Sequence, residues 1–443
     1  MDKNILTIIN ESQHDDLQVL FAHMNAVDIA DALEHAEETA AIAAFRLLDE
    51  KLAADVFSYI SPERQQLIVG KLTDTEVEEI MDDLSVDDIV DFIEDVPDDV
   101  GKRVLDNVST EKSEIVDRIL DYPDDSAGSI MTTEIVELNI ESEAKDALKI
   151  IRTSGVDKET IYTCYVIDDE RKLVGVVTAD TLLYSKPSEK VSNLMDTNVI
   201  FAEAGDDQEE LADKFSKYDL IAMPVVNRGG QLVGIVTVDD ILDVITEEDT
   251  EDFSKMVGVN PTDEPYMKTG VITHAKNRII WLLVLMLAAT IAGVIIETFE
   301  DALEVLPILG AFIPMLMATG GNAGAQSSTI IIRGMALGEI VKTDIVKLIW
   351  RETRIAIICG IILGAANFLR IILMYRNIVL ATVVTLSLFL TLVISKLIGC
   401  MLPVIAKAVK RDPAVMAAPI ITTIVDCSAL IIFFIIASVA FGI

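Results

Sequence analysis

Cysteine, histidine and positive charge are scarce in this chain. Its 443 residues include four Cys and four His. The cysteines (Cys164, Cys359, Cys400 and Cys427) show no C-x-x-C spacing, which argues against a disulfide framework or a structural zinc site. Lys and Arg number 35 against 72 Asp and Glu, a formal net charge of −37. That balance argues against nucleic acid as a partner, because phosphate binding needs basic patches. No H-E-x-x-H, G-x-S-x-G or Walker motif is present, and no nucleophile–base set can be read, so an enzyme is not expected. The opening stretch, MDKNILTIINESQHDD, lacks the long apolar core of a signal peptide and is expected to stay on the side of synthesis. Disorder is excluded in turn by what is abundant: 51 % of the residues are hydrophobic. At about 150 residues per domain, the length predicts roughly three domains.

The charge divides sharply near residue 270. Residues 271–443 hold 13 Lys/Arg and 9 Asp/Glu, a net of +4, which leaves 22 and 63 for residues 1–270, a net of −41. The front is an acidic soluble body and the rear is a membrane domain. Five spans can be read there: 279–296, 305–332, 355–369 (continuing to 374), 377–395 (continuing to 406) and 413–443, each near the ~20 residues that cross a bilayer as a helix. Lys268, Lys276 and Arg278 precede the first span, whereas only acids follow it (Glu297, Glu300, Asp301, Glu304). Arg333, Lys342, Lys347, Arg351 and Arg354 follow the second span, Arg370 and Arg376 the third, and Lys407, Lys410 and Arg411 the fourth. Basic loops favour the cytosol, so the acidic body is expected inside and the C-terminus outside.

Two repeats organise the acidic body. The first has a period of 12: LDEKLAADVFSY (48–59), ISPERQQLIVGK (60–71), LTDTEVEEIMDD (72–83), LSVDDIVDFIED (84–95) and VPDDVGKRVLDN (96–107). Its second position is Asp49, Ser61, Thr73, Ser85 or Pro97, all residues that start helices, and Thr73 with Glu76 has capping-box spacing. Apolar positions such as Leu72, Val77, Ile80 and Met81 recur on one stripe that a single short helix cannot bury. Stacked units bury it, which predicts a helical superhelix. The second repeat has a period near 60: LVGVVTADTLL (173–183) returns as LVGIVTVDDIL (232–242). Each unit reads helix, strand, turn, strand, helix, with Gly229-Gly230 as a hairpin turn.

The pattern around I-A-M-P-V-V and G-I-V-T-V-D-D-I-L resembles the CBS domain, which pairs in tandem. An acidic helical superhelix, a CBS pair and five spans, in that order, resemble the MgtE family of magnesium channels and transporters. The fold this implies is multi-domain: an α-helical superhelix over residues 1–128, an α/β tandem CBS pair over 129–192 and 193–245, a connecting plug helix over 240–270, and an all-α transmembrane domain of five helices over 271–443. The resemblance further implies a homodimer in the lipid bilayer, with Mg²⁺ as both substrate and regulator.

Asp426 is the sharpest chemical signal. It lies mid-span in DPAVMAAPIITTIVDCSALIIFF, and a carboxylate at that depth normally faces a water-filled path or a partner. Helical spacing puts Ala418, Thr422, Asp426 and Ala429 on nearly one face. Mg²⁺ sheds water reluctantly and is commonly held by one or two carboxylates plus retained waters, which a twofold pair of Asp426 side chains would supply. A protonated or ion-paired structural Asp is the alternative. The T-T-x-x-D run matches the family's pore motif, which implies that Asp426 binds the ion. In the segment 314–326, Gly320 and Gly324 are one turn apart, as are Asn322 and Gln326; by themselves these residues fit plain helix packing. The P-x-x-x-x-x-G-G-N-x-G-x-Q string resembles the family signature, which implies that Gly320, Gly321, Asn322, Gly324 and Gln326 line the pore.

Further acids follow. Asp412-Pro413 reads as a helix N-cap and first residue, and the resemblance adds a role at the cytosolic mouth. Asp240, Asp243, Glu247 and Glu251 share one helical face whose like charges a divalent ion would relieve; a solvated linker is the plain alternative. The plug resemblance implies metal contacts at Asp240, Asp243, Glu248, Glu251 and Asp252. Sensor candidates also match in the second CBS unit (Asp207, Glu209, Asp219), and Asp87, Asp88, Asp91 and Asp95 give the superhelix an acidic face. Adenine nucleotide binding stays open: the second unit has Thr237-x-x-Asp240, whereas the first has Thr178-x-x-Thr181. A different CBS-bearing transporter, for anions or osmolytes, is the competing reading, but an anion path calls for basic groups or helix N-termini where this chain offers Asp426.

Overall fold

The computed structural model describes residues 9, 14–154, 158–262, 266–416 and 418–442. The chain forms two compact units, residues 1–245 and 246–443.

The first unit begins with a run of short helices whose starts obey the 12-residue repeat. Asp49, Ser61, Thr73, Ser85 and Pro97 stand at the N-cap positions of helices Glu50–Ser58, Pro62–Val69, Asp74–Asp83, Val86–Asp95 and Asp98–Asn107. Thr73 and Glu76 complete a reciprocal capping box, and Asp49 accepts from the Leu52 amide. Each helix packs on the next but one: Ala26–His35 on Glu50–Ser58, then Asp74–Asp83, then Asp98–Asn107. The structural repeat is therefore 24 residues, a helix pair, and it buries Phe57, Val77, Met81, Ile89, Phe92 and Val104. Three cations of the helical run lie at helix C-termini, where carbonyls lack partners. Arg103 donates to the carbonyls of Val69 and Leu72 and pairs with Asp74; Arg64 reaches those of Glu34 and Ala36; Lys112 reaches those of Met81, Asp82 and Leu84.

Two three-stranded sheets follow, β1 (Glu137–Asn139), β2 (Thr163–Ile167) and β3 (Leu173–Thr178), then β4 (Ala202–Glu203), β5 (Ala222–Val226) and β6 (Leu232–Thr237). In each, a short parallel strand joins an antiparallel hairpin. The units interlock. Thr132, at the start of the first, bridges to Ile235 of β6, and Asp196, at the start of the second, bridges to Val176 of β3. Gly234 and Gly175 make room: a Cβ there would lie 2.8 Å from Met131 Sδ and 2.7 Å from Met195 Sδ, respectively.

The connecting helix runs Val238–Val257. It ends on Gly258 at φ +72°, a left-handed residue that suits glycine and stops the helix. Among the described residues of the second unit, five helices are long and apolar enough to cross a membrane. They are helix 1 (Val271–Thr298), helix 2 (Ile313–Ala336), helix 3 (Ile345–Tyr375), helix 4 (Ile378–Ala408) and helix 5 (Ala418–Phe441). Helix 5 starts later than its Asp-Pro sequence predicts. Asp412 accepts from the Ala414 amide at 2.7 Å and so caps a 3-10 turn, Ala414–Met416, ahead of the α-helix.

Candidate ion path and acidic sensor

Asp426 lies eight residues into helix 5, about 12 Å along its axis. It is half-buried, and no cation or hydrogen-bond donor among the described residues engages it. Its neighbour is the glycine pair of helix 2. A Cβ on Gly321 would lie 3.1 Å from Thr422 Cγ2 and 3.8 Å from Asp426 Oδ1. Asn322 and Gln326, one turn apart, stand exposed on helix 2. Amide side chains on the outside of a membrane helix call for water or a partner helix.

The other glycines turn elsewhere. A Cβ on Gly320 would meet Thr391 at 2.7 Å and Val425 at 2.9 Å, and one on Gly324 would meet Ile421 at 2.7 Å. Both are buried against helices 4 and 5, so within the chain they serve close packing, as small residues do between membrane helices. Ala429 is buried outright, so the polar face of helix 5 narrows to Thr422 and Asp426. The Ala418 side chain lies outside the described residues.

The second cluster is in the first unit. Helix Val86–Asp95 brings Asp87, Asp88 and Asp91 against Glu134 and Glu159 of the first CBS unit and against Asp239 and Asp240 at the start of the connecting helix. Burial first, and the like charges second, push these carboxyls above the usual carboxylate range: Asp88 to about 6, Asp240 to about 7, Asp91 and Glu159 to about 8, and Asp87 upward too. Asp91 and Glu159 are nevertheless exposed to solvent, which screens the like charges at those two and makes Asp88 and Asp240 the firmer cases. The Asp87 Oδ1 atom is buried with no hydrogen-bond partner among the described residues, while Thr237 Oγ1 donates to Asp240 at 2.5 Å. Among the described residues no three His, Cys, Asp or Glu converge tightly enough to hold a bare metal ion.

The third cluster is at the base of helix 5. Lys255 Nζ bonds Glu251 at 2.6 Å and Asp412 at 2.8 Å. Burial pulls the Lys255 pKa down, but these two bonds outweigh it and raise it. Asp252 is raised to about 6 by burial and then by the Asp412 charge. The supposed unrelieved face of the connecting helix is thus divided. Asp240 joins the first unit's cluster, Asp243 and Glu247 are exposed, and Glu251 already has a cation in Lys255.

Other sequence candidates have local duties. Asp207 caps helix Gln208–Tyr218 by accepting from the Glu209 amide, and Asp219 ends that helix at φ +51°. Asp95 closes its own helix, and Glu248 lies partly buried in the connecting helix beside Asp252. Glu134, Glu159 and Lys255 are absent from the sequence-based candidates. The first two sit outside either repeat's periodic positions; Lys255 was legible as the i+4 partner of Glu251. A cavity of about 370 Å³ also lies at the CBS pair, lined by residues that include Val199, Phe201, Asn227 and Arg228.

Comparison with known proteins agrees with this layout. The family model for the MgtE divalent cation transporter matches residues 313–436, that for the MgtE intracellular N domain residues 24–125, and that for the CBS domain residues 127–187 and 191–247. The magnesium transporter MgtE of Bacillus subtilis is 36 % identical over 380 residues, covering 86 % of this chain and 84 % of the relative. That of Thermus thermophilus is 33 % identical over 392 residues, covering 87 % and 86 %. Among solved structures, the cytosolic domain of the Mg²⁺ channel MgtE in complex with ATP is 31 % identical. It has a TM-score of 0.51 and covers 53 % of this chain and 96 % of that one. The soluble part of a magnesium transporter is 28 % identical, with a TM-score of 0.52, covering 55 % and 96 %.

Proposed function

The chain belongs to the MgtE family of magnesium transporters, membrane proteins rather than enzymes, and from that premise we propose how its own residues carry and regulate the ion. Two copies pair, and their Asp426 carboxylates hold a partly hydrated Mg²⁺ on the path between them. The observation that carries this is the state of Asp426: a carboxylate at membrane depth with no protein cation or donor beside it among the described residues, next to the exposed amides of Asn322 and Gln326. Such a group is costly unless water and an ion compensate it. Pairing of copies is further supported by exposed apolar side chains at matching places in the two CBS units, Tyr162, Leu183 and Tyr184 in one and Ile221 and Leu242 in the other.

Regulation follows from the acids. At low cytosolic Mg²⁺ the Asp87–Asp88–Asp91 group repels Glu134, Glu159, Asp239 and Asp240. Two unit charges at ~5 Å with an effective dielectric of ~20 repel by about 3 kcal/mol, so a few shared ions shift a two-state balance. At high Mg²⁺ the acids share ions, the cytosolic body compacts, and the connecting helix closes the mouth at Asp412. Asp243, Glu248 and Asp252 belong to the same response, with Asp95, Asp207, Glu209 and Asp219 as secondary acids. In this arrangement the N-terminal domains occupy residues 1–128, the CBS units 129–192 and 193–245, and the plug the stretch from 240 to 270, with the C-terminus outside the cell. A nucleotide role for the CBS pair is supported by the ATP complex of the relative's cytosolic domain and by Thr237-x-x-Asp240. Asp240, however, is already engaged by Thr237, and the first unit has Thr181 in the matching place.

Mg²⁺ flux into liposomes tests the pore reading. Wild type conducts, and Asp426→Ala loses transport while still assembling. Undiminished flux in the variant would refute it.

A further inference from the structure

A second set of ionisable groups lies within the membrane helices, apart from Asp426. Lys396 of helix 4 is 6 % exposed, Glu352 of helix 3 is 9 % exposed, and Ser327 of helix 2 is 2 % exposed. Lys396 Nζ donates to Ser327 Oγ at 3.1 Å, and Ser327 Oγ donates to Glu352 Oε2 at 2.7 Å. The ammonium and the carboxylate are 4.0 Å apart. One hydroxyl thus joins three helices and relays between two opposite charges. Ionisable residues inside membrane segments are rare and generally serve the transported ion's path. Replacing a buried ion pair by apolar residues often costs nothing, so stability alone does not account for one here.

Its position relates it to the ion. Glu352 lies seven residues into helix 3 and Asp426 eight into helix 5, about 10 and 12 Å from helix starts that face the same side in the topology proposed above. Ser395 and Val425, the residues just before Lys396 and Asp426, close on the same glycine. A Cβ on Gly320 would lie 3.2 Å from Ser395 Oγ and 2.9 Å from Val425 Cγ1. The seam between the two sites is polar: Ser395, Thr391 and Ser328 are buried hydroxyls with no hydrogen-bond partner among the described residues. Helix 2 therefore presents Gly321 to Asp426 and Ser327 to the Lys396–Glu352 pair.

We infer that the Lys396–Ser327–Glu352 network sets how tightly the Asp426 site holds its cation. Glu352 cancels, inside the protomer, a fixed positive charge that would otherwise repel the ion. The pair acts through the field and touches nothing that moves. An uncompensated unit charge at ~15 Å from a divalent ion, with an effective dielectric of ~20, changes cation affinity about fortyfold. The sign depends on which partner is removed. Glu352→Gln leaves a bare ammonium and weakens cation binding; Lys396→Met leaves a bare carboxylate and strengthens it. A pair that served only to hold the helices together would suffer alike from either loss.

This inference rests on the Asp426 reading, and one experiment separates the two. Mg²⁺ flux is measured in liposomes against Mg²⁺ concentration for wild type, Glu352→Gln, Lys396→Met, the double variant and Asp426→Ala. The expected result is a half-saturating Mg²⁺ concentration raised tenfold or more in Glu352→Gln, lowered tenfold or more in Lys396→Met, and near wild type in the double variant. Shifts in the same direction, or none, overturn the inference. So do single variants that fail to assemble while the double variant assembles, because that pattern marks a purely structural pair. If only one single variant assembles, the sign of its shift decides. Loss of flux in Asp426→Ala without opposed shifts at the pair removes this inference alone; retained flux in Asp426→Ala removes the pore reading beneath it.

Discussion

The surroundings of the proposed ion-binding side chains are set by their neighbours. Asp426 stays free because helix 2 presents Gly321 to it: any side chain there would press on Thr422 at about the 3.1 Å already measured to a bare Cβ. Gly258 sets the end of the connecting helix. Its left-handed backbone stops the connecting helix, and its Cα lies where a Cβ would come 3.1 Å from Pro419 Cγ. Gly258→Ala is expected to cost at least about 1 kcal/mol through the positive φ. It should also loosen the contact of Lys255 with Asp412, visible as a lower thermal midpoint in detergent and as weaker closure at high Mg²⁺. An unchanged midpoint would show that the helix end is not under this constraint. Asp426 was legible in the sequence because an acid in an apolar span is too costly to keep without an ion, water or a partner to compensate it. Lys255 was not legible as the partner of Asp412, because that pair joins residues 157 positions apart.

At the scale of elements, the superhelix was open to reading and the interlocking of the CBS units was not. Asp49, Ser61, Thr73, Ser85 and Pro97 announce helix starts through local hydrogen-bond chemistry, which the chain carries at every turn. That helices stack on the next but one is a packing outcome, invisible in a 12-residue period. Likewise Met131 and Met195 look like the starts of their own units, yet each lies over the glycine of the other hairpin. The glycines of helix 2 show the same limit: spacing grouped Gly320, Gly321 and Gly324, and only packing separates Gly321 from the other two. The connecting helix carries the element-scale prediction. Asp240→Asn with Glu251→Gln removes one acid from the first unit's cluster and frees Lys255 from one partner. Flux should then persist at Mg²⁺ levels that close the wild type; closure at the same level would exclude these acids from sensing.

For the whole molecule, the charge of −41 on residues 1–270 has to be held together by something other than its 22 Lys and Arg. Protons do part of this, with a definite sign. Asp88, Asp240, Asp91 and Glu159 have pKa values raised to between about 6 and about 8 in the assembled state, above the usual carboxylate value near 4. The assembled state therefore binds more protons than a separated one between about pH 4 and pH 8, and its stability falls as pH rises through that window. In metal-free buffer, hydrogen exchange of helix Val86–Asp95, corrected for the intrinsic rate, should quicken from pH 6 to pH 8.5. Saturating Mg²⁺ should abolish the trend. A flat metal-free profile would mean that the acids are separated enough not to oppose one another.

The central claim is that paired Asp426 carboxylates hold a hydrated divalent ion within the membrane. The most direct measurement is the anomalous scattering of Mn²⁺ bound to the full-length protein in place of Mg²⁺. A peak on the axis between two Asp426 side chains is expected, farther from each carboxylate than the ~2.1 Å of a direct metal–oxygen bond, with waters between. A structure with no metal there, and with Asp426 turned to lipid or bonded to a Lys or Arg of the partner subunit, would contradict the account.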